Sequence, residues 1–473
     1  MNLSSAISTA LGGLGDTTRR LGIASGNIAN ATTEGYAARR AVTEDGPAPR
    51  VVAARRTDPQ LTALRRGADS EAAAAKVRAE ALVRLADGVG EYGDAGSLAE
   101  RSAALGRAFS ALGDDPASLA RQENAASAAR DLAKGFREAE AGVRGVRAGA
   151  DAAIGRLVAG INDDLAEIAT LNRRVVRARA LGQDATALEE RRESRIDAIG
   201  AALPLRLQDR PDGSVEVRTA EGVLLAEREA RRLDFTPAPA VTPAMTRAGG
   251  ALSGLRIGER DVTPGGGSAQ AVEGGALAAH FAVRDDLAPA LQADLDAAAA
   301  DLMARFEAPG LDPTLAAGAA GLFTDRVDPL GAPPPPGLAG RLEVNAALDG
   351  TPWRLRDGLG AAAPGPAGAS VLPRALAAAL AERRPGPDGT LADASGPLAA
   401  IAERASLARI DAEDAETAAA TTRATQAEAE GAVRGVDAEA ELAHLVTLER
   451  AFAANARVLE TTSRMLDALE SIK

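Results

Sequence analysis

Apolar residues return at every seventh position at both ends of this chain. Ile7, Leu14, Leu21 and Ile28 form one row, with Leu3, Ala10, Thr17, Ala24 and Ala31 on the adjoining seam. That period draws a narrow stripe along one helix, the pattern by which two helices wind together. At the other end Leu445, Phe452, Leu459 and Leu466 repeat at seven, flanked by Leu442, Leu448 and Leu469. Chain ends fray unless something ties them down. Two amphipathic terminal helices are therefore expected to pair with each other, with neighbouring subunits, or with both.

What lies between them is too long for one core: 473 residues imply about two to four domains. The hydrophobic fraction of 46% is mostly alanine, and aromatic residues make up only 2%. Alanine has the best helix propensity and buries little area, so slender, closely packed helices are expected rather than thick cores. Cysteine is absent, which rules out disulfides, thiol catalysis and cysteine-based metal sites. The first residues have no basic segment followed by a continuous apolar one, and nowhere do about 18 apolar residues run uninterrupted. A soluble chain without a cleavable signal peptide or membrane insertion is expected.

Charge is unevenly spread over a net of -12. Residues 16 to 66 hold nine arginines (19, 20, 39, 40, 50, 55, 56, 65 and 66) against five acids, a net of +4. Residues 411 to 441 hold nine acids against Arg423 and Arg434, a net of -7. One reading is two solvated helix faces. The other is that these segments lie against each other, within or between subunits, with charge setting register more than affinity.

Along the chain the elements nest. Asn27, Asn30, Thr32, Thr33 and Gly35 end the first helix, since Asn and Gly tolerate the left-handed conformation. Residues 46 to 60, with Pro47, Pro49 and Pro59, read as extended, and 68 to 202 as helical, broken at Gly113–Pro116 and punctuated by Gly182 and Pro204. After Pro204 the period changes to alternation. Leu205 and Leu207, Val215 and Val217, and Val223 and Leu225, separated by Pro211-Asp212-Gly213 and Gly222, predict a three-stranded meander. Residues 236 to 275 are Gly/Pro-rich, 276 to 307 helical, 331 to 337 a proline-stiffened linker, and 341 to 345 a short strand. Helix returns from 398 to 472 with a break near Gly431 and Gly435. The expected fold is mainly α with a β-containing insertion: terminal coiled-coil helices, an elongated helical bundle and an outer α+β region. The expected domains are 1–67 with 436–473 for terminal assembly, 68–203 with 391–435 for the bundle, and 204–390 for a β-rich outer insertion.

No constellation for chemistry emerges. His280 and His444 are far apart in sequence and read as surface or packing residues. HExxH, Walker-type and strand-flanked GxGxxG patterns are missing, and Gly265-Gly266-Gly267 reads as a loop. Carboxylates are plentiful, yet no pair stands out as positioned for acid–base work. The arginine pairs lack aromatic interleaving and sit in an acidic chain, against nucleic-acid binding. Trp353 reads as a packing residue. Neither enzyme activity nor a cofactor is expected.

Several strings resemble the bacterial flagellar axial proteins, most closely the hook-associated protein 1 (FlgK) family of hook–filament junction proteins. SAISTALGGLGDTTRRLGIASGNIANATTEGYAARR is similar to the opening helix and its signature, through Asn27, Ile28, Ala29, Asn30, Thr33, Gly35 and Tyr36; rod and hook proteins share that signature. VAGINDDLAEIATLNRRVVRARALGQDATALEERRE resembles the junction-family bundle through Ile161-Asn162, Ile168-Ala169, Leu171-Asn172 and Gly182. GGALAAHFAVRDDLAP and GLFTD resemble later blocks, and AELAHLVTLERAFAANARVLETTSRMLDALESI the closing helix. The chain departs from the family at Asp184–Leu188, at Glu190-Arg191-Arg192-Glu193, and at Glu449-Arg450-Ala451-Phe452.

The resemblance implies a structural subunit joining hook to filament, exported through the flagellar type III apparatus and located outside the cell in the flagellum. It would assemble as a ring of copies of itself through Leu3, Ile7, Leu14, Leu21, Ile28, Leu445, Phe452, Leu459, Leu466 and Leu469. Hook protein, hook-associated protein 3 and an export chaperone are the implied partners. Another axial subunit, such as hook-associated protein 3 or hook protein, and a non-flagellar coiled-coil adaptor are the competing readings.

Overall fold

The structure, a computed structural model, describes residues 3–33, 36–44, 50–90, 93–385 and 389–470. Helix α1 (Leu3–Ala29) is followed by the antiparallel strands β1 (Arg39–Glu44) and β2 (Arg50–Arg55), then α2 (Pro59–Val89), α3 (Leu98–Asp114), α4 (Leu119–Ala180) and α5 (Thr186–Ala202). The meander β3 (Leu205–Asp209), β4 (Val215–Thr219) and β5 (Leu224–Ala226) comes next, then β6 (Leu233–Asp234), β7 (Arg256–Ile257) and β8 (Arg260–Asp261). Helix α6 (Gly275–Ala282) continues through a π-helical turn at Val283–Leu287 into α7 (Ala288–Phe306). Strand β9 (Phe323–Asp325) pairs with β10 (Leu342–Val344). Helices α8 (Arg354–Asp357) and α9 (Val371–Ala381) and the ribbon β11 (Arg384–Pro385) and β12 (Leu391–Ala392) lead to α10 (Gly396–Arg434) and α11 (Ala438–Glu470). The fold is mainly α, with small antiparallel sheets set into it.

Local chemistry accounts for the boundaries. Asp58 caps α2, its Oδ1 accepting from the Gln60 and Leu61 amides at 2.8 and 3.3 Å, and Pro59 takes the first helical position, where no amide is needed. The first meander turn uses Gly213 at φ 87°, a conformation other residues rarely adopt, with the Asp212 carboxylate accepting from the Ser214 amide at 2.9 Å. Asp437 caps α11 in the same manner, at 3.1 and 3.0 Å from the Glu439 and Ala440 amides.

The chain divides into two compact units, one of residues 1–71, 161–232 and 419–473 and the other of 72–160 and 233–418. The second holds a continuous apolar cluster drawn from α2, α3, α4, α7, α9 and α10. Within it the Phe306 ring packs on two others, its centroid 6.1 Å from that of Phe109 and 5.4 Å from that of Phe323. In the first unit the meander packs on α4 through Asn172. That fully buried amide accepts from the Val215 amide (3.1 Å) and Arg192 (2.9 Å) and donates to the Val215 and Glu227 carbonyls (2.8 and 2.6 Å), which satisfies every site it has.

Two readings of the sequence change. The arginine-rich stretch before residue 46 forms β1, and helix begins at Pro59 instead of 68. The proline run 331–337, expected as a stiff linker, is tied down by hydrogen bonding. It lies inside the second unit, where the Asp296 carboxylate accepts from the Gly337 amide at 2.7 Å. The meander 205–226 lies in the same compact unit as the terminal helices.

Candidate assembly interface

Helices α1 and α11 pack against each other within one chain. Asn27 meets Glu441 near one end of the pair and Gly13 meets Asn455 farther along, so the two helices run antiparallel. On α1 the small residues of the adjoining seam go deepest: Ala10, Thr17 and Ala24 are buried, Ala24 to 1% exposure, while Ile7, Leu14, Leu21 and Ile28 flank them half-buried. Ala31 lies beyond the helix and is exposed. On α11, Leu448 and Thr462 are buried, Leu445, Asn455 and Leu459 half-buried, and Phe452 is 39% exposed. Leu442, expected beside this stripe, is 58% exposed because it projects from another side of the helix. Leu3, Leu466 and Leu469 lie within the helices, but their side chains fall outside the described residues.

The signature residues build a junction at the foot of this pair. Asn27, completely buried, accepts from the Arg39 amide (2.8 Å) and the Tyr36 hydroxyl (2.9 Å), and donates to the Arg39 carbonyl (2.8 Å) and the Glu441 carboxylate (2.8 Å). One side chain thus ties the end of α1 to β1 and to α11. Burial pushes the Tyr36 hydroxyl pKa up, the nearby Arg39 charge opposing, so Tyr36 stays a neutral donor. Asn30 and Thr33 have a local role: Asn30 Nδ2 donates to the Gly26 carbonyl (2.8 Å), and the Thr33 amide to the Asn30 carbonyl (2.9 Å), closing the helix end. Gly35 lies outside the described residues.

Above the junction the basic stretch finds its acids. Arg65 bridges Glu430 and Asp69 and lies 2.9 Å from Asp197, so one N-terminal arginine reaches the C-terminal acidic segment, and in the opposite sense Arg423 of that segment meets Asp69 at 2.9 Å. Most of the pairing goes elsewhere, however. Arg39 contacts Glu190 at 3.0 Å, Arg55 contacts Glu193, and Arg66 contacts Asp197 at 2.6 Å, all on α5. Sequence reading singled out Glu190 and Glu193 only as departures from a family pattern. Their recurrence with Asp197 along one helix face was the available signal.

The faces away from the seam are also patterned. Ser8, Gly12, Gly15, Arg19, Gly22 and Gly26 alternate spacings of four and three along α1, a second heptad row that solvent reaches. A Cβ added at Gly12, Gly15, Gly22 or Gly26 would meet nothing within 4 Å. Leu11, Val446, Val458 and Met465 also remain exposed on the pair. Among the described residues no group of three or more His, Asp and Glu could hold a metal ion, and no helix is long and apolar enough to cross a membrane. His280 is half-buried, with burial and then Arg156 pulling its pKa down, and His444 is exposed. Trp353 lies under the Arg354 guanidinium, 5.4 Å from its ring centre.

Comparison with known proteins gives two family matches. Residues 85–312 match the flagellar hook-associated protein FlgK helical domain, and residues 433–472, which include all of α11, match the flagellar basal body rod FlgEFG protein C-terminal family. Among solved structures the chain is similar to the flagellar hook junction protein FlgK from Burkholderia pseudomallei, at 19% identity and a TM-score of 0.44, covering 56% of this chain and 46% of that one. The chain thus spans about half the length of that protein. No curated protein matches it. A hook-associated helical domain in the middle of the chain and an axial C-terminal helix at its end, in that order, support a FlgK-type flagellar hook-associated protein.

Proposed function

We propose that this chain is the structural subunit joining hook to filament, assembling as a ring through its terminal helices after export by the flagellar type III apparatus. The match over residues 85–312 carries the reading, because it is to the hook-associated helical domain, whereas the pattern shared with rod and hook proteins covers only 433–472. Hook protein on one side, hook-associated protein 3 on the other and an export chaperone before assembly are the partners that fit it. The geometry of the pair supports assembly through the termini. One heptad row of α1 is used against α11, and a second, lined by glycines that no atom of the described residues approaches at the Cβ position, is left open. Glycine inside a helix costs about 1 kcal/mol relative to alanine, a cost without return unless another backbone comes close. Ile7, Leu14, Leu21, Ile28, Leu445 and Leu459 then hold the pair in shape, and its outer faces meet neighbouring subunits.

Gold-labelled antibody against the 233–418 segment, applied to isolated flagella, tests the position. Label confined to a band between hook and filament is the expected result. Label spread along the hook, or along the rod, would assign the chain to another axial subunit.

A further inference from the structure

The α1–α11 seam is poor in features that select one alignment: its deepest α1 positions are Ala10, Thr17 and Ala24, small residues that pack much alike against any heptad-spaced partner. Two contacts break that degeneracy. Asn27 Nδ2 donates to Glu441 at 2.8 Å, and the Asn455 carboxamide lies over Gly13, where an added Cβ would come within 3.0 Å of its Nδ2. Fourteen residues, two heptads, separate Gly13 from Asn27, and fourteen separate Glu441 from Asn455. The two contacts therefore lie on one row of each helix and are satisfied by a single alignment, in which facing residue numbers add up to 468. A shift of one heptad either way parts Asn27 from Glu441 and removes the glycine opposite Asn455. In one direction it sets Arg20 in that place and Leu448 opposite the buried Asn27 amide.

We propose that Gly13 and Asn455, together with the Asn27–Glu441 bond, set the register of α1 against α11, Asn455 acting as a positioning residue. A polar side chain at one core position commonly sacrifices some stability for a unique alignment. The cost here is visible in Asn455 itself, a half-buried amide on the seam row between the buried Leu448 and Thr462. The register fixes which glycines and leucines the pair turns outward, so the inference deepens the assembly reading. Its test uses the unassembled chain and can fail while that reading stands.

Because the protein has no cysteine, introduced pairs report alignment without background. Ala24→Cys with Leu445→Cys probes the observed register, and Ala24→Cys with Phe452→Cys, or Ala10→Cys with Phe452→Cys, probes a one-heptad slip in each direction. In the otherwise unchanged full chain, the first pair should oxidise about tenfold faster than either slipped pair. With Asn455→Leu added, that preference should fall to about threefold or less while the helical circular dichroism persists. Gly13→Ala, which leaves α11 untouched, should move it in the same direction by less. Exchanging the two residues, Gly13→Asn with Asn455→Gly, should restore it, because one asparagine again faces one glycine. A tenfold preference undiminished in Asn455→Leu would overturn the proposal. So would loss of all three cross-links together, which would make the contact one of stability and not of register.

Discussion

Asp151 and Arg284 form an ion pair at 2.7 Å with both side chains sealed from solvent. Arg284 also donates to Asp285 and to the Ser253 carbonyl, and lies over the Phe281 and Phe235 rings at 4.8 and 5.7 Å. Asp151 accepts a second bond, from the Ala238 amide at 2.7 Å. The pair thus pins the 236–255 loop and the π-helical turn to α4. Burial opposes the guanidinium charge, but Asp285 and Asp151 hold its pKa above the ordinary value. Removing one partner of such a pair leaves an uncompensated buried charge, at a cost of about 3–5 kcal/mol. Arg284→Met should therefore lower stability by about that amount in denaturant melts, and adding Asp151→Asn should recover part of it. Additive losses in the double variant would show the two side chains to be energetically independent.

Asn172 makes a comparable prediction in the other unit. Asn172→Ala strands the Val215 amide and carbonyl, the Glu227 carbonyl and one Arg192 donor, each a buried group worth about 1–3 kcal/mol when unpaired. Water entering the gap would reclaim part of this, so a net loss of roughly 3 kcal/mol is expected. Hydrogen exchange should quicken first in the meander, 205–226, and leave the 283–306 helix unchanged. Uniform quickening across both segments would contradict this local account.

Two buried glutamates should respond to pH with opposite sign. Burial alone would raise the Glu430 pKa, but hydrogen bonds from Thr62 and Arg434 and the Arg65 charge hold it below the ordinary carboxylate value. Its contribution to stability is therefore present above the unfolded-state value of about 4.3 and is lost as pH falls through the lower folded value. For Glu140, burial raises the pKa, Arg144 and Arg341 opposing and Asp296 adding to the rise. Its stability contribution is full below about 4.3 and is lost as pH climbs through the raised folded value. Glu430→Gln should therefore melt below the parent at pH 7 and approach it in acid, whereas Glu140→Gln should match the parent near pH 4 and exceed it at pH 8. Thermal melts of both variants across that range decide the signs.

Much of the fold was legible because its signals are local. Pro204 followed by strict alternation announced β3 to β5, the Gly113–Pro116 break separated α3 from α4, and Gly274–Gly275 marked the start of α6. Strand β1 escaped because Arg39, Arg40 and Thr43 carry no apolar alternation. Its ladder is held by pairing with β2 and by Asn27, a partner twelve residues before Arg39. The start of α2 was readable from Asp58-Pro59, but the prolines before it suggested extended chain. At the candidate interface the heptad rows were legible, and so were the signature asparagines. That Asn27 reaches Glu441, and that the arginines reach α5, depends on segments more than a hundred residues apart in sequence, which no local period records.

The glycines on the outer row of α1 allow the assembly reading to be separated from helix stability. Gly15 and Gly22 are exposed, adopt helical backbone, and have open space where a side chain would project. Replacing each with alanine should stabilise the isolated chain by about 0.8–1.0 kcal/mol, because alanine loses less backbone entropy in a helix. Leucine at the same positions should also stabilise it, being nearly as good a helix former. Assembly ranks the variants differently. If the backbone of a neighbouring subunit comes close to this row, a methyl group narrows the approach and an isobutyl group blocks it. Gly15→Leu with Gly22→Leu should then yield a chain that melts higher than the parent yet leaves cells with bare hooks, while the alanine pair gives an intermediate count of filaments. Secretion into the medium, measured for each variant, distinguishes blocked assembly from blocked export. Leucine-substituted chains that are secreted and still carry filaments of normal number and length would mean that no neighbour packs on this row, and the glycines of α1 would need another cause.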